Sequence, residues 1–150
     1  IIEFLADRVG REHYWPDDIA ARAVARSMAA EMHSGFSNLR RELPMNVRKS
    51  FAPKPLSDDV TEEVERILTM WAQARARFGG GGDFLFGTWC ATDMMFAPVV
   101  TRLITYGVTV PPFAALYIKA VLSQADVSEW IDKAQDEPWV IEAYEAEPAT

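Results

Sequence analysis

Cys90 is the only thiol in this 150-residue chain, and His13 and His33 are its only imidazoles. Cys90 stands in "FGTWCATDMMFAPVV", three residues before Asp93 and at the edge of a nearly unbroken apolar run. A helix that starts there leaves its first N–H groups unpaired. With Cys90 as the cap, Asp93 falls at the third helical position. From there a carboxylate reaches back to the cap's own N–H and suits the positive end of the helix dipole. Trp89 and Met94 then take the two positions of a hydrophobic staple. A second reading makes Cys90 a reactive thiol, because a helix N-terminus lowers a thiol pKa. Asp93 opposes that reading, since its charge repels a thiolate. A thiol is also a weaker acceptor than the serine or threonine usual at a cap, and losing a cap costs about 0.5–2 kcal/mol. Neither histidine lies near the cysteine in sequence, and the two lack metal-ligand spacing. Neither a Ser-His-Asp triad nor a metal site is expected.

The elements that must position these residues read as helices. In "YWPDDIAARAVARSMAAEMHSGFSNLRRELPMN", Asp17 and Asp18 are candidate caps. Ile19, Ala23, Met28, Met32, Phe36, Leu39 and Leu43 follow at near-helical spacing, and Pro44 closes the run. This predicts one long helix over roughly residues 18–43. Ser57 caps a second, over roughly residues 58–78, with Val60, Val64, Ile67, Leu68 and Trp71 on one face. The two are expected to lie antiparallel. "FGGGGDFLFG" between them and Cys90 is expected to be a flexible loop with nothing to pack. A phosphate cradle there would need a following Lys-Ser/Thr and a preceding strand. The helix after Cys90 is apolar on too many faces to lie at the surface, so it is expected at the centre, bent at Pro98. A fourth helix follows Pro111 and Pro112, and a short fifth lies in "DVSEWIDKAQDEP". No alternating strand pattern competes, so the fold class is all-α, a bundle of about five helices.

The length suits one domain with a real core, and a hydrophobic content of 49% excludes a disordered chain. A single cysteine excludes an internal disulfide framework and suits a reducing, cytoplasmic setting. No apolar run is long enough to span a membrane. The net charge of −7 is concentrated at one end, because residues 125–150 carry eight acidic groups and one basic group. That end is poorly suited to nucleic acid. The opening "IIEFLADRVG" reads as the last turns of a helix, with an apolar stripe and Gly10 as its stop. The expected division is therefore residues 1–12 as the end of a linking helix and residues 13–150 as a helical domain.

Four segments, "IIEFLADR", "YWPDD", "RAVARSMAAEMHSGFSNLR" and "WCATDMMFAPVVTRL", in this order and spacing, resemble a cytosolic glutathione S-transferase. The resemblance spans essentially the whole chain and corresponds to the C-terminal helical domain. It implies a missing thioredoxin-like domain that binds glutathione, the co-substrate, and supplies the catalytic residue. It also implies a small electrophilic substrate, a homodimer, and no catalytic residue within this chain. The family box carries Ser or Thr where Cys90 stands. "EMHSGFSNL" is similar to a stretch of bacterial beta-class enzymes in which a histidine and the following lysine approach glutathione. His33 takes the histidine's place and Ser34 the lysine's. The resemblance thus nominates His33 and Ser34 for substrate binding. A histidine satisfied at a seam between helix and domain is the other reading of His33, and a non-catalytic association domain of the same fold is the other reading of the chain.

Overall fold

The computed structural model describes residues 1–145, and the regular structure among them is helical. The elements are α1 (Ile2–Val9), a 3₁₀ turn (Arg11–His13), α2 (Ile19–Ser34), α3 (Ser37–Glu42), α4 (Asp58–Phe78), α5 (Ala91–Thr105), α6 (Pro112–Leu122), α7 (Ala125–Gln135) and a last 3₁₀ turn (Glu142–Tyr144). Among the described residues no helix is long and apolar enough to cross a membrane. Asp18 caps α2, accepting from the Ala21 N–H at 2.7 Å, and Ser57 caps α4 through the Val60 N–H. Trp71 of α4 is fully buried where α4, α5 and α6 meet. It lies edge-on to Phe96, with ring centroids 5.6 Å apart, and to Tyr117 at 4.7 Å.

The long helix expected over residues 18–43 is two helices. Its apolar stripe is real, but Gly35 takes an extended conformation and Phe36 a left-handed one, with φ of 59°. A side chain at Gly35 would meet the Glu31 carbonyl oxygen at 2.9 Å. The break turns Phe36 into the core and starts α3 on a new axis. Glu63 of α4 then serves α3 from outside, accepting from the Leu39 N–H at 2.7 Å and the Asn38 N–H at 3.2 Å. A carboxylate across the interface thereby satisfies N–H groups that no cap in α3 reaches. Glu31 meets Arg66 while Asn38 meets Glu63, so the α2–α3 arm and α4 run antiparallel, as expected.

Pro98 does not interrupt α5. A proline has no N–H, so the Met94 carbonyl lacks its usual partner four residues on, and the helix continues past it to Thr105. The glycine-rich segment, expected to have nothing to pack, is folded. Two isolated bridges close it, Phe84 with Gly87 and Phe86 with Thr88, and Leu85 and Phe86 are buried. Phe86 stacks on Phe78 at 5.7 Å. Arg75 of α4 ties the segment down through carbonyls, donating to Asp83 at 2.5 Å and Phe84 at 2.7 Å. Arg75→Ala should therefore loosen the segment and lower stability by about 1.5–3 kcal/mol, the range for hydrogen bonds that involve a charged group. Thermal melts with limited proteolysis of residues 79–84 check it. An unchanged melt and cleavage pattern would show that the glycines hold their shape unaided.

Candidate functional site

The box at the start of α5 forms as the spacing predicts. The Cys90 N–H donates to Asp93 Oδ2 at 3.0 Å, and the Cys90 sulfur faces the Asp93 backbone N–H. The sequence does not reveal what else Asp93 holds. Its Oδ1 accepts from the Leu85 N–H at 3.1 Å and from the Tyr117 hydroxyl at 3.0 Å. Thr92 donates to the Ala25 carbonyl of α2 at 3.0 Å, and the Ala91 N–H donates to the Tyr14 carbonyl at 2.8 Å. Residues 90–93 are all buried. Trp89 packs edge-on against Phe84 at 5.1 Å, and Met94 is exposed, so the staple's two members serve different surroundings.

This environment decides between the two readings of Cys90. Burial first, and then the charge of Asp93, push the thiol up to about 12. The Cys90 side chain is a structural cap with neither the ionisation nor the access of a nucleophile. Burial also raises the Asp93 carboxyl, against the pull of its hydrogen bonds. The folded state thus holds that proton longer than the unfolded chain does. Asp93's contribution to stability is fullest below the ordinary carboxylate pKa and shrinks as pH rises through the folded value.

His33 and Ser34 close α2 and are exposed. The Ser34 hydroxyl turns back to the Ala30 carbonyl at 3.0 Å. Arg40 donates to the Met32 carbonyl and, at 3.4 Å, to that of His33, covering the end of the helix. His33 lies seven residues after Arg26, on the same side of the helix. Arg26 pairs with Glu3 of α1 at 2.8 Å, so His33 projects on the flank of α2 that Glu3 of α1 reaches. The opposite flank faces α4 across an open groove of about 300 Å³. Val24, Met28, Met70, Ala74 and Phe78 form its apolar lining, with Ser27 and Gln73 among its polar members. One end is closed by Arg66, which donates to both Glu31 oxygens at 2.7 and 2.8 Å. His33 and Cys90 are both outside this groove. His13 is exposed beside Glu12, 3.7 Å away. Among the described residues no three His, Cys, Asp or Glu side chains group to hold a metal.

Compared with known proteins, the chain matches no family model and no curated sequence.

Asp93→Ala strands two buried backbone N–H groups and a buried hydroxyl at about 1–3 kcal/mol each, so the loss should be about 3 kcal/mol or more. That exceeds the cost of a simple cap. Urea denaturation measures it, and a loss under about 1 kcal/mol would show that the three donors find other partners. In the same experiment the Cys90 thiol should react with an aromatic disulfide only as the chain unfolds.

Proposed function

We propose that the chain is the electrophile-binding helical half of a glutathione S-transferase, whose catalytic residue and principal glutathione contacts belong to a thioredoxin-like domain preceding α1. Catalysis of this kind lowers the thiol pKa and holds thiolate and acceptor together. The observation that carries the reading is the position of His33. It is exposed on the α1 flank of α2, the side from which an upstream domain would approach, and away from the α4 groove. An imidazole there has the reach and donor chemistry to meet a glutathione carboxylate or sulfur at a domain seam. The buried box at α5 and the order of the four quoted motifs support the same assignment. Ser34, bonded to its own helix, has a lesser part.

The α2–α4 groove favours a related role. It is open and apolar-floored, and it lies on the flank opposite His33, which suits association with a second copy of the chain. In the transferase reading this is the homodimer face. In the alternative, an association domain without catalysis, it is the whole function.

Glutathione binding separates the two. The isolated chain should not conjugate glutathione to a halogenated nitrobenzene. In the full-length protein, His33→Ala should weaken glutathione binding about threefold to tenfold, the worth of one neutral hydrogen bond. Equal affinities by calorimetry would remove His33 from the site, and conjugation by the isolated chain would overturn the division of labour. Association is tested by sedimentation at micromolar concentration. A dimer is expected for the wild type and a monomer for Ser27→Arg, which places a bulky cation in the groove. A monomeric wild type would remove the groove from the interface.

A further inference from the structure

A second groove lies outside everything assigned above. After α7 the chain folds back, and residues 137–145 run as a strap along the loop at residues 45–49. Polar groups of the loop and of α7 fix the strap's backbone. Arg48 donates to the Glu137 carbonyl at 2.8 Å, and Asn46 to the Tyr144 carbonyl at 2.9 Å. Gln135 ties the end of α7 to the Val47 carbonyl at 3.1 Å. Thus held, the strap leaves its apolar side chains in water. Trp139 is 80% exposed, Ile141 62% and Tyr144 42%, facing Trp130 of α7 at 38%. These four side chains line one groove of about 320 Å³, a volume that suits a small molecule.

The charges around the groove decide what kind of molecule. Arg48 and Lys133 also line it, but both are engaged. Arg48 is held by carbonyls and by Glu145 at 3.5 Å, and Lys133 is paired with Glu129 at 2.5 Å. Glu137 stands at the groove, and no side-chain partner is found for it among the described residues. The groove's charged lining is balanced, Glu137 and Glu145 against Arg48 and Lys133, but Glu145 is met by Arg48 and Lys49, each at 3.5 Å, which leaves Glu137 as the carboxylate facing a ligand. Aromatic faces attract cations through their quadrupole, most strongly for indole, and clusters of such faces recognise quaternary ammonium groups.

We propose that the groove between α7 and the C-terminal strap binds an organic cation, an alkylated ammonium group with a short apolar arm. The ammonium sits among Trp130, Trp139 and Tyr144, with Glu137 as its counter-charge, and the arm lies along Ile141. The site uses neither His33 nor the α2–α4 groove and stands independently of the transferase reading.

The test is calorimetric titration of the chain with hexyltrimethylammonium below its micellar concentration, beside hexanesulfonate, which has the same arm and the opposite charge. The ammonium should bind with a millimolar or tighter Kd and the sulfonate about tenfold more weakly or not at all. Trp139→Ala and Trp130→Ala should each weaken the ammonium about fivefold or more, and Glu137→Gln about threefold. Trp139 is so exposed that its replacement should leave the thermal melt unchanged. Absence of ammonium binding at 50-fold the protein concentration and about 10 mM ligand, equal binding of the sulfonate, or full affinity in Trp139→Ala would each overturn the proposal.

Discussion

The buried carboxylate of Asp93 is the interaction on which the rest of the structure depends. One side chain accepts from the backbone at Cys90 and Leu85 and from the hydroxyl of Tyr117. It therefore joins the start of α5, the folded glycine segment and α6. Its neighbours extend the same junction, Thr92 to α2 and Ala91 to the turn before α2. A buried, half-satisfied polar cluster would be worse than an apolar one, so this junction is stabilising only if every donor finds its acceptor. That requirement fixes α6, α2 and the turn before α2 relative to the glycine segment and the start of α5. It also explains why Cys90 is inert, since a thiolate there would face both burial and a carboxylate.

A second carboxylate works in the same manner on the other arm. Glu63 supplies α3 with the acceptor that its own sequence lacks, and so allows the chain to break at Gly35 and reset its direction. The break matters for function. It ends α2 at His33 and Ser34 and leaves both exposed, with His33 on the flank that carries Arg26 and Ser34 turned toward the side of Ser27 and the α4 groove. The two flanks of one helix are thus chemically different, with Arg26 and His33 exposed on one side and an apolar-floored groove on the other.

Much of the fold was legible because its signals are local. Asp18, Ser57 and the spacing of Cys90 with Asp93 announce three helix starts, and Pro111 and Pro112 a fourth. The break at Gly35 was not read, because the apolar period runs through it and the acceptor that permits it comes from Glu63, 24 residues from Leu39. The glycine segment was misread for a related reason. Its order comes from Arg75 and Asp93, neither of which lies within it. For the site, sequence reasoning nominated His33 and Ser34 but had no means of telling which flank of α2 they occupy, because that depends on α1. The Trp130–Trp139 groove was missed altogether. Its aromatics are scattered along a tail that becomes a surface only when Asn46 and Arg48 hold it down.

Native-state hydrogen exchange at the Leu85 and Cys90 amides tests the role of Asp93 most directly. If the carboxylate is the joint of the fold, both protons exchange only through global unfolding, at the rate of the Trp71 amide in the middle of α4. Exchange at either position more than about a hundredfold faster than at Trp71 would mean that the junction opens while the bundle stays folded. Asp93 would then be a local cap rather than the element that holds the glycine segment, α5 and α6 together.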